Sequence, residues 1–392
     1  MTAVETSDGV WSQVIGQPAV VAELRAAVAN PAAMTHAWLF TGPPGSGRSV
    51  AARAFAAALQ CPDGGDGTCH ECRTVLAGTH ADVEVIVPDG LSIGAKEARE
   101  LVRVAGRAPS QGRWQVIIVE DADRMTEHAA NAVLKMIEEP PSRTVVMLCA
   151  PSLHPDDVPV TIRSRCRVVA LRTPPVEAVA DVLIRRDGID PALAAWSAAA
   201  SGGHVGRARR LARDEDARLA RKAVLDVPLS LVSLAACLDA ADDMVEAAQE
   251  ETDEATAGLD GPETEAMKAG LGYGARGPGM AAASRGAGVL KELEKRQKSR
   301  ATRLGRDSFD RALVDLAGLY RDALVLDSVR GEPPMLMHPD RRADADELAR
   351  RIGAEGALRR IDAILACRLA LEQNVKPRIA LEALTVALRL PA

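Results

Sequence analysis

The chain has 392 residues, 47% of them apolar, and a formal net charge of -6 at pH 7. That length allows two or three domains with sizeable cores, and the acidic balance excludes broad nucleic-acid coating while leaving room for a local basic patch. Aromatics at 2% exclude a stacking platform for single strands, and neither a charged-then-apolar leader at Met1–Val10 nor an apolar run of spanning length occurs, so a soluble, cytoplasmic protein with no membrane partner is expected.

Val14-Ile15-Gly16-Gln17-Pro18 precedes an amphipathic segment over Ala19–Ala29, which Asn30-Pro31 breaks. The apolar run Ala37–Phe40 then enters Thr41-Gly42-Pro43-Pro44-Gly45-Ser46-Gly47-Arg48-Ser49, and an alanine-rich helix follows to about Leu59. Strand, glycine loop and helix in this order are the setting of a phosphate-binding loop. Its backbone N–H groups turn inward around phosphate oxygens, and the helix N-terminus adds partial positive charge. Gly42, Pro43, Pro44, Gly45, Ser46, Gly47, Arg48 and Ser49 are therefore the candidate residues for ATP with Mg²⁺. The spacing fits, but Arg48 stands where a lysine is usual, and its larger planar fork is no equivalent of a compact ammonium. The competing reading is a scaffold loop whose helix simply packs on a sheet.

After the loop helix come Cys61, Asp66, Cys69, His70 and Cys72 in a glycine-rich stretch. Three cysteines within twelve residues, two spaced as C-x-x-C, read as a Zn²⁺ knuckle rather than a disulfide framework. A structural zinc takes four ligands. Asp66 continues the three-residue step, and His70 and His80 are the other candidates; a plain glycine-rich turn is the alternative.

Val83–Pro88 reads as a strand and Lys96–Arg107 as a helix. Trp114–Val119 reads as a buried strand ending in Glu120-Asp121. At such a strand end one carboxylate serves Mg²⁺ and a glutamate polarises the attacking water, so Glu120 and Asp121 are candidate catalytic residues. Their order is the reverse of the usual one, which places hydrolysis in question; a solvated strand end is the alternative. Thr126–Glu138 is a helix stopped by Glu139-Pro140-Pro141, and Thr144–Ala150 is the next strand. Strands alternating with helices predict a parallel sheet covered on both faces. Thr161–Arg167 and a strand over Val168–Leu171 lead to a boundary at Thr173-Pro174-Pro175. Beyond it the pattern is helical, interrupted by a low-complexity stretch over 250–287, acidic and then glycine-rich, which reads as a disordered insertion. The predicted organisation is an α/β phosphate-loop domain over 1–173, a small helical domain over 174–224, and a helical domain over 225–392.

Several of these motifs occur together and in order: Ile15-Gly16-Gln17, His36-Ala37, Gly42–Ser49, the knuckle, Ala77-Gly78-Thr79-His80-Ala81-Asp82, Asn131-Ala132-Val133-Leu134-Lys135 with Glu138-Glu139-Pro140-Pro141, and Arg163-Ser164-Arg165-Cys166. Over about Val14–Leu171 this resembles the AAA+ clamp-loader subunits of the bacterial replicative DNA polymerase III holoenzyme. Asn374–Glu382 resembles the last helix of the family's collar. The resemblance implies an AAA+ module, a helical lid and an all-α collar that joins subunits into a ring.

Motor members of that family keep the loop lysine, an Asp-Glu strand end, a polar sensor residue and a lid arginine. This chain has Arg48, Glu120-Asp121, Cys149-Ala150, and Gly206 with Arg207 one position on. It keeps Ser164-Arg165-Cys166, which carries the family's arginine finger, so the resemblance implies that Arg165 acts in trans on a neighbour's ATP. The implied partners are the motor (gamma/tau) and delta subunits of a hetero-pentameric ring, the sliding clamp, and primer–template DNA through the assembly, with Lys135 facing the central chamber. The implied role is a stator-like component of the holoenzyme with weak or absent ATPase and no polymerase active site. Asp66 occupies one of the four cysteine positions of the family's knuckle. A motor-type ATPase, a free-standing nucleotide kinase and a non-binding scaffold are the alternatives.

Overall fold

Five short apolar runs become strands: β1 (Ala37–Thr41), β2 (Val83–Ile86), β3 (Gln115–Val119), β4 (Thr144–Ala150) and β5 (Arg167–Ala170). They form one parallel sheet in the order β2-β3-β4-β1-β5. β1, β3 and β4 are buried along their whole length, as central strands covered on both faces must be. In this computed structural model the described residues are 9–30, 34–88, 90–271, 280–329, 331 and 335–391. They fall into two units, Met1–Ala212 and Arg213–Ala392.

Helices α1 (Pro18–Ala29), α2 (Arg48–Gln60) and α3 (His70–Leu76) cover one face of the sheet over a core that includes Trp38, Phe40 and Phe55. Trp38 and Phe55 meet edge to face with centroids 4.9 Å apart, a favoured aromatic geometry. The opposite face packs on α4 (Ala95–Ala105), α5 (Glu127–Glu138) and the short α6 (Val160–Arg163), around Leu101, Ile117, Ile137 and Leu148. Thr126 caps α5 by accepting from the Ala129 N–H, and Pro140-Pro141 prevents its continuation. Helices α7 (Val176–Arg185), α8 (Pro191–Ala200) and α9 (Val205–Arg213) have a small core of their own around Val179, Leu183 and Ala198.

The N-terminal segment lies on the cysteine-rich loop. The Val10 N–H donates to the Gly65 carbonyl at 3.0 Å and Trp11 Nε1 to the Gly64 carbonyl at 3.3 Å. A Cβ on Gly65 would come 2.8 Å from Val10. Further along the same segment, the Gln17 amide donates to the Arg172 carbonyl and, at 3.4 Å, to that of Ser46.

The Gly78–Asp82 motif is structural. His80 is buried, with Nε2 on Glu71 and Nδ1 accepting from the Asp82 N–H. The Asp82 carboxylate accepts four bonds of 2.6–2.8 Å from Ser110 N–H and hydroxyl, Gln111 N–H and Gly112 N–H.

The second unit is all helical: α10 (Glu215–Ser230), α11 (Leu234–Gly270), α12 (Met280–Ser328), α13 (Arg342–Glu372) and α14 (Pro377–Leu388), around Leu225, Leu316, Tyr320, Leu348 and Leu384. The chain is thus an α/β module with a parallel sheet and a glycine-rich loop after β1, followed by helical segments, as expected. One expectation needs correction. Residues 250–270, read as part of a disordered insertion, complete α11; 272–279 lie outside the described residues, and the chain continues as α12 from Met280. The acidic run is held by partners far along the chain. Arg300 pairs with Asp260 at 2.8 Å and with Glu263, and Arg311 with Glu251. Buried Thr252 and Thr256 return their hydroxyls to the carbonyls of Ala248 and Thr252.

Candidate functional site

The loop leaves β1 at Gly42 and enters α2 at Gly47, and three of its glycines have left-handed φ: Gly42 at 155°, Gly45 at 85° and Gly47 at 88°. Gly42 and Gly45 are required by space as well. A Cβ on Gly42 would lie 2.5 Å from the Leu171 carbonyl oxygen, and one on Gly45 2.6 Å from the His204 ring. Ser46 is buried and its Oγ has no hydrogen-bond partner among the described residues. Arg48 does not extend beyond the loop: its Nη1 donates to the Gly42 carbonyl at 2.8 Å.

Glu120 and Asp121 stand at the C-terminal end of β3, two strands from β1. Arg53 of α2 claims Glu120, with Nε at 3.1 Å and Nη2 at 2.8 Å from Oε1. Asp121 takes a left-handed backbone (φ 53°) and lies 3.9 Å from Arg124 Nε. Asp123 stands beside them: burial pushes its carboxyl up, Asp121's charge adds to that, the Arg124 and Arg48 charges oppose it, and its Oδ1 is buried without a hydrogen bond among the described residues. At the end of β4, burial pushes the Cys149 thiol up to about 12, with Glu120, Arg48, Asp121 and the Ser49 hydroxyl all acting on it. The loop, the β3 carboxylates and Cys149 therefore converge, but the thiol is inert and the cations are held by protein groups.

Arg165 lies elsewhere. Its partners are Glu138 Oε1 at 2.8 Å, the Thr161 carbonyl at 3.0 Å and Ser164 Oγ at 3.3 Å, none of them loop residues. Its side chain is 43% exposed.

The knuckle residues come together. Ligand atoms of Cys61, Asp66, Cys69 and Cys72 all lie within 4.8 Å of one another. Cys61 Sγ is 3.6 Å from Cys69 Sγ and 3.5 Å from Asp66 Oδ1. Zinc bonds of about 2.3 Å to sulfur and about 2.0 Å to oxygen give tetrahedral edges of about 3.8 Å (S–S) and about 3.5 Å (S–O). These residues fit a zinc ion, with Asp66 as the fourth donor. The Asp66 carboxylate also accepts from the Cys69 and Thr68 N–H groups, which hold it well below the usual carboxylate range. His80 is not in the group, because Glu71 and Asp82 occupy both of its nitrogens; His70 is exposed and also outside it.

Sequence reasoning missed Arg53, Asp123 and His204. Arg53 carried a signal, a lone cation one helical turn after Ser49 in a run of alanines. His204 carried one as well, a polar residue immediately before α9 that accepts from the Arg207 N–H at 3.3 Å. Asp123 carried none, because its burial is a tertiary property.

Residues 16–175 match the model of a family described as "DNA polymerase III, delta subunit". The chain is 31% identical to the DNA polymerase III subunit delta' of Bacillus subtilis, over 49% of this chain and 58% of that protein. It is 36% identical to the subunit delta' of Pseudomonas aeruginosa, over 45% of this chain and 55% of that protein. It is also 33% identical to the subunit gamma/tau of Mycobacterium bovis, over 45% of this chain and 31% of that protein. The match thus spans little more than half of the delta' relatives and less of gamma/tau. No helix among the described residues is long and apolar enough to cross a membrane.

Proposed function

Residues 16–175 resemble the family described as "DNA polymerase III, delta subunit", and from that premise we propose that the chain is the delta-prime subunit of a clamp loader. In this role it helps a ring of gamma/tau and delta subunits place a sliding clamp on primer–template DNA, and it supplies Arg165 to the ATP of a neighbouring motor subunit. The observation that carries the reading is a contrast. In the chain's own loop Arg48 turns back onto the Gly42 carbonyl and His204 leaves no room for a side chain at Gly45, while Arg165 stays on the surface away from that loop. A finger that serves a neighbour has to be exposed on its own chain, because it acts on charge that develops in another subunit's site. Leu358, Leu365 and Leu369, spaced at seven and four along α13 and 49–53% exposed, give the collar an apolar line of the kind that contacts other subunits.

ATP with Mg²⁺ at Gly42–Ser49 is at most a weak ligand in this reading, and Glu120 and Asp121 are not a working hydrolytic pair. Zinc held by Cys61, Asp66, Cys69 and Cys72 would fix the loop between α2 and α3 and take no part in chemistry. The similarity to gamma/tau subunits favours a second reading, a motor-type ATPase, which would require turnover by the isolated chain.

The test is DNA-stimulated ATPase and clamp loading by a reconstituted assembly carrying Arg165→Ala. Losing such a finger is worth on the order of 10³-fold or more at the site it serves, so bulk ATPase falls in part and clamp loading falls further. Arg165→Lys does not rescue, because a point charge lacks the fork. Normal rates in an intact assembly would return Arg165 to an ordinary surface pair with Glu138.

A further inference from the structure

Two stretches of the second unit carry opposite charge. Glu250–Lys268 of α11 holds seven acids and one base, and Lys291–Arg306 of α12 holds seven bases and two acids. The two stretches pack along each other with little core. From 249 to 270 only Thr252 and Thr256 are buried, and from 288 to 308 only Leu293. Burial this sparse adds little to stability, so the charges on this arm call for another explanation.

The basic residues of this part of α12 differ in their surroundings, and Arg303 and Arg306 are held by Asp307 and Asn374. Those facing α11 are neutralised across the hairpin: Arg300 by Asp260 and Glu263, Arg311 by Glu251. Lys291, Lys295 and Lys298 are exposed, and their ammonium groups make no ion pair or hydrogen bond among the described residues. Their spacing of four and three places them on one helical stripe. At 1.5 Å per residue the stripe is about 10.5 Å long, which matches about three phosphate-to-phosphate steps along the axis of one B-form strand at 3.4 Å each. No aromatic or large apolar residue stands between Lys291 and Thr302 on the exposed side to anchor a protein partner, and none offers a stacking surface for single strands.

We propose that the outer lysine stripe of α12 is a contact surface for the phosphate backbone of duplex DNA, without sequence preference. Phosphate contacts of this kind position a duplex and do not read it. The cross-hairpin pairs neutralise part of α11's charge, which lessens its repulsion of the same duplex.

The experiment is fluorescence anisotropy of the full chain with a labelled mixed-sequence duplex across a salt series, comparing wild type with Lys291→Ala/Lys295→Ala/Lys298→Ala. All three positions are exposed, and circular dichroism verifies the fold. Wild type binds at low salt. The triple variant binds roughly tenfold or more weakly, and its log–log salt slope is smaller by about 2.7, from about 0.9 per phosphate contact. Absence of duplex binding by wild type, or equal affinity and slope in the two proteins, overturns the proposal. So does lysine-dependent binding of polyglutamate with no binding of DNA, which would make the partner an acidic protein segment.

Discussion

Arg53, one turn into the phosphate-loop helix, holds Glu120 at the end of β3 with two donors on a single carboxylate oxygen, at 3.1 and 2.8 Å. This pair converts a position expected to polarise water into a structural brace between helix and sheet. Both side chains are largely shielded, at 34% and 16% exposure.

The isolated chain is therefore expected to turn over ATP far below the median enzyme rate of about 10 s⁻¹. Arg53→Ala, which frees Glu120, should not restore turnover, because Arg48 still folds onto Gly42. A steady-state ATPase assay decides this. Turnover near the median rate that Gly47→Val abolishes would favour the motor reading.

One equivalent of zinc is expected in protein purified without chelator, measured by elemental analysis. Asp66→Ala should lower the content, and Asp66→Cys, which supplies a fourth thiolate, should retain it. Less than about a tenth of an equivalent in wild type, against the single ion a structural site holds, would mean the cysteine loop closes through Asp66's own hydrogen bonds.

Asp82 predicts a specific acid sensitivity. Burial alone would raise its carboxyl, but donors from Gly112, Ser110 and Gln111 outweigh that and hold it at about 2. An unfolded aspartate titrates near 3.9. The folded value is the lower one, so the stabilisation is complete above about pH 4 and is lost as pH falls through about 2. The shift corresponds to roughly 2.5 kcal/mol. Asp82→Asn should be less stable than wild type at pH 7 by about that much, and chemical denaturation should show the gap closing towards pH 3.

His338 predicts sensitivity in a milder range. It is buried, and its Nδ1 lies 3.0 Å from Arg221 Nη2. A guanidinium only donates, so Nδ1 accepts and Nε2 carries the proton that goes to the Asp315 carbonyl at 3.0 Å. The imidazole must be neutral. Burial holds its pKa down and Arg221 adds to this, against Asp315 and Asp322. An unfolded histidine takes a proton near 6.5, so stability is complete above that value and declines as pH falls below it. His338→Asn keeps an acceptor for Arg221 and cannot titrate, so melting temperatures between pH 7.5 and about 5.5 should decline less in the variant. Equal slopes would show that another group sets the acid response.

The sequence made the sheet legible because each strand is a short apolar run bounded by turn residues, and it made the loop legible because only glycine fits at Gly42 and Gly45. The clustering of Cys61, Asp66, Cys69 and Cys72 was legible too, since side chains on a short loop follow a step of the chain. Pairings across long separations were not. Arg53 and Glu120 are 67 residues apart and Arg300 and Asp260 are 40 apart, and local composition is silent about such pairs. For that reason 250–270 read as disorder. His80 read as a candidate ligand for a related reason: nothing local announced that Glu71 would take its Nε2.

The N-terminal segment makes the cysteine loop and the phosphate loop a single mechanical path. Gly64 and Gly65 grip Trp11 and Val10, and a few residues on, Gln17 reaches the Ser46 carbonyl and ties itself to Arg172 just past β5. Loosening the cysteine loop therefore slackens a tether whose other end is the phosphate loop itself. The cysteine loop thus sets how firmly the glycine-rich backbone after β1 is held.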